Sequence, residues 1–430
     1  MPDTNAQSAK PDPYALWRNP NYRYYAGSWF LITFSRRVEF AAVSFYLVTL
    51  YGDPQHESLL LGILGLVLAL PVILLSIAGG QLADRFNRLR LMTLTFSLGI
   101  LSAAGLLVVA MLGGNATVWF YVLLGIGTVG WALGNPARQA MLPSLISTDL
   151  FSIGVAWNSS AFYIASATGL FVGGAMLDMF QTMAPIFALV LLCRIAAIAA
   201  ISRIRYRPVV HAEQAVSWQS LVAGIRFVWN TPLILATITL DLFAVLLGGV
   251  TYLVPVYAAM LHVGGTGYGV LMAGDMIGAI CMALILAHRP PLRRAGVTLL
   301  WAVAGFGAAT IIFGISQWFW LSLLMMLLIG ALDNISVVVR HTLVQMLTPD
   351  EMRGRVSAVN SIFIVASNDL GGMESGLTAW LFGPVASAVG GGIGTILVVL
   401  AALRIWPQIL KIGSLASIRP AAVEEPDRDV

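Results

Sequence analysis

The chain is poor in what a water-facing surface needs. Only 10% of its 430 residues are Asp, Glu, Lys or Arg, and 58% are hydrophobic; ordinary soluble domains run near ~25% and ~45–50%. A soluble protein of this composition would have nothing to present to water, so the sequence predicts an integral, polytopic membrane protein. Cysteine is almost absent. Cys193 and Cys281 both lie in apolar stretches and read as small core residues, not as a disulfide or a zinc site. The five histidines are scattered without metal-ligand spacing. No nucleophile–base pair or phosphate loop is present, so neither an enzyme nor a bound cofactor is expected. The net charge of +4 is spread over short loops, which points to a lipid surface as partner and away from nucleic acid. The polar start runs into an apolar stretch over 24–50 that is too long for a signal peptide and lacks a small-residue cleavage site.

What is present is an alternation. Most of the 24 Lys and Arg residues gather at the N-terminus (Lys10, Arg18, Arg23), at Arg85/Arg88/Arg90, Arg138, Arg203/Arg205/Arg207, Arg289/Arg293/Arg294, Arg340/Arg353/Arg355 and in the C-terminal tail. Every second connection is basic, and each one between carries no Lys or Arg. This is the positive-inside pattern, and it predicts an even number of spans with both termini cytoplasmic. A hydrocarbon core of about 30 Å takes about 20 apolar residues as helix. That ruler gives twelve spans: 24–50, 58–82, 89–112, 117–139, 151–180, 184–204, 231–261, 265–287, 295–315, 318–340, 351–382 and 385–406. The expected organisation is a cytoplasmic segment 1–23, a six-helix bundle 24–204, a cytoplasmic linker 205–230, a second six-helix bundle 231–406 and a tail 407–430. Within the linker, Trp218, Leu221, Val222, Ile225, Val228 and Trp229 mark a short amphipathic helix, expected on the membrane surface.

The halves look like copies. Arg138 and Arg340, Asn158 and Asn360, and Gly169 and Gly371 are each 202 residues apart. A six-plus-six duplication places a substrate site between the halves near the bilayer midplane.

The connection after the second span reads Gly80-Gln-Leu82-Ala83-Asp84-Arg85-Phe-Asn87-Arg88-Leu89-Arg90. Gly80 permits close helix approach. Asp84 is expected at the N-terminal side of the third helix, where the dipole favours a carboxylate, and Asn87 tolerates a positive φ. This stretch resembles the loop signature of the major facilitator superfamily, G-x-L-a-D-r-x-G-r-K/R, departing from it at Asn87 and Leu89. Asn135-Pro-Ala-Arg138-Gln-Ala-Met-Leu-Pro143, Tyr268-Gly269 and Pro349-Asp-Glu-Met-Arg353-Gly354-Arg355 are similar to the branch containing enterobactin exporters and drug-efflux proteins. Gly169-Leu170-Phe-Val-Gly173-Gly174 matches the fifth-span antiporter motif except for Leu170 in place of proline; its glycines still permit close helix contact. The resemblance implies an all-α membrane fold of two pseudo-symmetric six-helix bundles, efflux driven by the proton gradient, a central cavity lined by spans one, four, seven and ten, and a conformational latch at Gly80, Asp84, Arg85 and Arg88.

Nine ionisable residues fall inside expected spans and away from their ends: Arg36, Arg37, Glu39, Arg194, Asp241, Asp275, Asp333, Asp369 and Glu374. At ~2.5–3.5 kcal/mol each at a helix centre, they must face a cavity or one another. Arg36 and Arg37 lie roughly 18–20 Å into their helix at 1.5 Å per residue. Arg36 and Glu39 share a face at i, i+3, either as a structural ion pair or as a site for an anionic group. Asp241 and Asp333, the latter beside Asn334, are candidates either for proton carriage, as buried carboxylates, or for pairing with Arg36 or Arg37. Asp275 is expected to pair between helices. Of Asp369 and Glu374, one is expected to meet the glycine-rich fifth helix and the other the cavity. Arg194 is expected to have a structural partner, and Arg138 and Arg340 to orient loops. Trp29, Phe30, Phe34, Phe40, Phe45, Tyr46, Phe243, Tyr252 and Tyr257 form either an apolar cage or ordinary packing. Trp318 and Trp320 read as interface anchors.

The expected function is a monomeric secondary transporter of the inner membrane that exports an amphipathic small molecule, with protons as coupling ion. The alternatives are a proton-coupled uptake symporter and, more remotely, a transport-dead sensor or scaffold, which would be expected to carry an added soluble domain.

Overall fold

The computed structural model describes residues 12, 14–49, 52–113, 117–180, 182–205, 218–289, 292–349 and 352–413. The expectations for residues 1–11, for 206–217 of the linker and for 414–430 of the tail lie outside them. Among the described residues there is no strand. The first half runs α1 (Pro20–Val48), α2 (Pro54–Arg85), α3 (Arg88–Leu112), α4 (Thr117–Leu145), α5 (Phe151–Phe180) and α6 (Ala184–Ser202). A short α7 (Trp218–Asn230) leads to α8 (Pro232–Gly248), which continues through a 3-10 turn (Val250–Leu253) into α9 (Val254–Met260). Then follow α10 (Gly264–His288), α11 (Ala295–Ile315), α12 (Phe319–Leu347), α13 (Arg353–Phe382) and α14 (Pro384–Ile405).

Local chemistry sets the helix ends. Asn19 accepts a hydrogen bond from the Asn21 amide at 3.0 Å, with Pro20 opening α1. Asp53 does the same for α2 through Gln55 at 3.1 Å; outside the spans, its carboxyl is held below the usual aspartate range by the hydrogen bond with His56. Asn87 caps α3 through Leu89 and Arg90, at 3.0 and 3.2 Å. Gly113 and Gly383 end α3 and α13 with φ of 70° and 90°.

Ten helices among the described residues are long and apolar enough to cross a membrane, with α8 and α9 counted as one stretch from Pro232 to Met260. The other two of the twelve expected spans are α1 and α13. They have the length, 29 and 30 residues, but carry Arg36, Arg37 and Glu39, and Asp369 and Glu374.

In the first half α1 packs on α5 and α6, and α3 on α4 and α6; in the second α8 packs on α13 and α14, and α10 and α11 on α12. A methyl placed on Gly169 of α5 would come 2.7 Å from the Phe34 carbonyl oxygen of α1, and one on Gly371 of α13 would come 2.9 Å from the Val245 carbonyl oxygen of α8. The glycines of the 202-residue register thus do the same work in both bundles.

Two seams join the bundles, α2 against α13 and α5 against α10. Gly62 meets Gly376, and Gly174 meets Gly265 and Gly269, at backbone distance. Ser44 and Tyr268 share a hydrogen bond of 2.8 Å. Asp178, near the end of α5, accepts from the amides of Gly265 and Thr266 at the start of α10, at 2.8 and 2.7 Å. These contacts all lie toward the end of the molecule whose connections carry no Lys or Arg. α7 packs against α13 and α8, with Val228 buried among Ile234, Ile238, Val344, Val356 and Val359.

Candidate functional site: opposed charges between two bundles

α1 supplies three charges at i, i+1 and i+3, and they diverge. Glu39 pairs with Arg194 of α6, both buried, and Arg194 also donates to the Gly99 carbonyl at 2.6 Å. The expected Arg36–Glu39 pair is therefore replaced: α6 is closer to the carboxylate than the next turn of its own helix, and Arg194 does have its structural partner. Arg36 instead lies over the Trp131 ring of α4, 4.2 Å from its centroid, a cation–π contact. Arg37 turns to the other side, donating to Ser166 of α5 at 3.3 Å and standing 5.8 Å from the Phe162 centroid.

The second bundle supplies the acids. Asp241 of α8 pairs with Arg340 of α12, both buried, and accepts from Ser336 at 3.3 Å. Neither Arg36 nor Arg37 is its partner. Arg340 is a buried ion-pair member and not a loop-orienting residue. Asp369 of α13 accepts from Tyr252 at 3.0 Å. Asp275 and Asp333 form no hydrogen bond or ion pair among the described residues. Asp275 does not pair between helices through its carboxylate; its backbone abuts Gly330 of α12. Asn334 reaches across the bundles to Tyr163 at 3.5 Å, and its carbonyl oxygen is buried without a partner. Glu374 is half-buried beside Ser375. Neither Asp369 nor Glu374 meets the fifth helix, because α13 packs on α2 and α8 while α5 faces α1 and α10.

Arg37 is the hinge of this arrangement. The fields of Asp369 and Asp275, both from the opposite bundle, act on it, yet no ion pair among the described residues joins it to either. One bundle brings cations to the interface and the other brings carboxylates. Of the aromatics, Tyr46 packs on Phe120 and Tyr257 on Phe313 within their own bundles, Phe243 is exposed, and Phe40 of α1 meets Tyr252 of the second bundle at 5.4 Å. Trp318 and Trp320 are exposed, as interface anchors require.

Arg138 does not orient a loop either. It is buried over the Trp29 ring at 3.6 Å and donates to Asn135 at 3.0 Å and Tyr25 at 3.2 Å. The signal was available in the spacing. Pro20 and Pro232 both open the first helix of their half, 232 − 20 = 212 residues apart, and Trp29 and Asp241 stand the same 212 apart. At matching places, Arg138 meets an indole and Arg340 a carboxylate.

The loop motif also differs in detail. Asp84 sits in the last turn of α2 and not on the N-terminal side of α3. Asn87 has φ −59° and acts as a cap, so it takes no positive φ. Gly80 has open space around it; Gly79 is the glycine that touches α4. Arg88 ties α3 to α4 through the Ala140 carbonyl at 2.9 Å and Ser144 at 3.3 Å.

An all-helical, multi-pass bundle pair with an ionisable interior is the architecture of a membrane transporter, not of an enzyme. The chain belongs to the major facilitator family described as transmembrane secretion effectors, whose pattern it matches over residues 52–425. It is 26% identical over 346 residues to the Enterobactin exporter EntS of Citrobacter koseri, covering 77% of this chain and 79% of that protein, and 25% identical to the Enterobactin exporter EntS of Escherichia coli O81 over the same shares. Among solved structures it resembles a D-xylose-proton symporter (TM-score 0.70, 14% identity, 94% of this chain and 98% of that one). It also resembles a bacterial homologue of the human lysosomal transporter Spinster in an inward-facing, occupied conformation (TM-score 0.68, 13% identity, 91% and 98%). These likenesses establish the fold; the cargoes named belong to those proteins.

Proposed function

We propose that this protein is a secondary active exporter of the inner membrane, with both termini cytoplasmic, that exchanges protons for an amphipathic small molecule by alternating access. The observation that carries the reading is the polar seam between the bundles: Arg37 of α1 donates to Ser166 and forms no ion pair among the described residues, Tyr252 meets Phe40 of α1 and donates to Asp369, and Asn334 reaches Tyr163. Such charges can be satisfied by a cargo that carries both an acidic group and a hydrogen-bond donor or cationic group, as in a siderophore-like metabolite or a drug. The acidic group lies on Arg37 and the donor on a carboxylate of the second bundle.

The sign of coupling follows from which contact a proton removes. Protonating Asp275, Asp333 or Asp369 deletes the contact to the cargo's donor, so proton and cargo compete and exchange in opposite directions. A cargo held by Arg37 alone gives the reverse. Protonating the facing carboxylate then releases Arg37 for the cargo, and the two travel together, which is the uptake symporter. Similarity to exporters supports the first sign. Closure at the Lys- and Arg-free end, with the basic loops cytoplasmic, supports an inward-facing state.

The test uses proteoliposomes loaded at acid pH and candidate zwitterionic amphiphiles outside, with wild type, Asp333→Asn, Asp369→Asn and Arg37→Ala. Export predicts that the acid lumen drives cargo inward through inverted molecules, and that at least one Asn variant exchanges cargo without responding to the gradient. With the cargo loaded inside instead, efflux that follows protons out of the acid lumen overturns the reading, as does full coupling in all three variants.

A further inference from the structure

Arg36 points away from the bundle interface, into a cavity of about 30 Å³ between α1, α3, α4 and α6, lined among others by Arg194, Trp131, Thr95, Gly99 and Gly127. A water needs roughly 10–15 Å³ of such volume, so the space suits two waters or one ion of chloride size. Its electrostatics are one-sided. Arg36 donates no hydrogen bond among the described residues; its one contact is the Trp131 ring. The charges whose fields reach it are Arg194, Glu39, Arg37 and Asp369. Arg36 and Arg194 bring two guanidinium groups to the wall of one small cavity that no carboxylate lines, Glu39 being held on Arg194 from behind. Ser102, one turn from Gly99 on α3, is fully buried, and its hydroxyl has no partner. A methyl on Gly127 would come 2.9 Å from that hydroxyl oxygen and 4.0 Å from Arg194 Nη1, so hydroxyl and guanidinium converge on this glycine.

We propose that the first bundle holds one small monovalent anion of chloride size between Arg36 and Arg194, with the Ser102 hydroxyl as a further donor. The anion gives the Arg36 guanidinium the hydrogen-bond partner it has nowhere among the described residues, in a region where an uncompensated ion is strongly disfavoured. Trp131, Phe96, Ile32 and Ile198 supply the apolar part of the lining. The site is separate from the bundle interface and stands whatever the transported cargo is.

The experiment is thermal unfolding of the purified full-length protein at constant ionic strength, with chloride replaced stepwise by gluconate, alongside anomalous diffraction from crystals grown in bromide. The expected result is a saturating rise in Tm with chloride, about 3–6 °C at roughly tenfold excess over the dissociation constant. Bromide should give the same rise. The rise should be abolished in Arg36→Gln and in Gly127→Val, which fills the space, and an anomalous peak should stand between Arg36 and Arg194. A Tm that ignores the anion, a rise that persists in both variants, or density carrying no bromide signal (water only) overturns the proposal. The diffraction arm needs no variant, so a misfolded mutant does not blunt the test.

Discussion

Asp241→Leu is the sharpest perturbation of the second bundle. Asp241 and Arg340 have side-chain exposures of 5% and 2%, and the Arg340 Nε already lacks a hydrogen-bond partner. Removing the carboxylate strands a guanidinium between α8 and α12, with Ser336 as its polar neighbour. Breaking a buried pair on one side costs ~3–5 kcal/mol, whereas replacing both members with apolar residues of similar size is often neutral or stabilising. At ~2–4 °C per kcal/mol for a bundle of this size, Asp241→Leu should lower Tm by roughly 6–20 °C. Arg340→Met should do the same, and the double variant should recover most of the loss. Unfolding of detergent-solubilised protein, followed by far-ultraviolet circular dichroism, gives all four corners of the cycle. If the two single losses add in the double variant, or if either single costs under ~1 kcal/mol, the pair is not coupled and the account of its burial is wrong.

Two further outcomes follow from the packing. Gly330→Ala puts a methyl 1.8 Å from the Asp275 carbonyl oxygen, so α10 and α12 must part, at a cost of ~1–3 kcal/mol; an unchanged unfolding midpoint would show that this contact has slack. Asp178→Ala removes two charge-assisted hydrogen bonds that join the bundles, each ~1.5–3 kcal/mol. Spin labels at Met179 and His262 should then report a longer, broader distance distribution, and an unchanged distribution would remove Asp178 from the closure.

The spans were legible because apolar length is a one-dimensional property. The expected 295–315 is α11 to the residue, and 89–112 differs from α3 by one. The break at the 3-10 turn Val250–Leu253 was not seen, since the run stays apolar there; Gly248-Gly249 was its only mark. The charged residues were legible as a set, because each is anomalous in hydrocarbon. Their partners were not. Pairing depends on how helices are rotated about their axes, and a stretch apolar on all sides carries no moment to fix that rotation. Glu39 therefore looked to Arg36 on its own helix, while its partner was Arg194, 155 residues away. Arg138 and Arg340 were found as equivalents by spacing but placed at loops, since a guanidinium near a helix end reads as a surface group until an aromatic or carboxylate is seen beneath it.

The glycine seams have a consequence for how the joint comes apart. Where Gly62 meets Gly376, and Gly174 meets Gly265 and Gly269, the touching surfaces are peptide backbone and not leucine-rich faces. At those points parting uncovers peptide backbone; beside them Phe45 must leave Tyr268 and Phe40 must leave Tyr252, ring centroids 5.3 and 5.4 Å apart, and the hydrocarbon so exposed costs about 25 cal/mol per Å². The crevice can therefore wet first along its glycine contacts as it widens, while the two ring pairs set the hydrocarbon cost of each stroke.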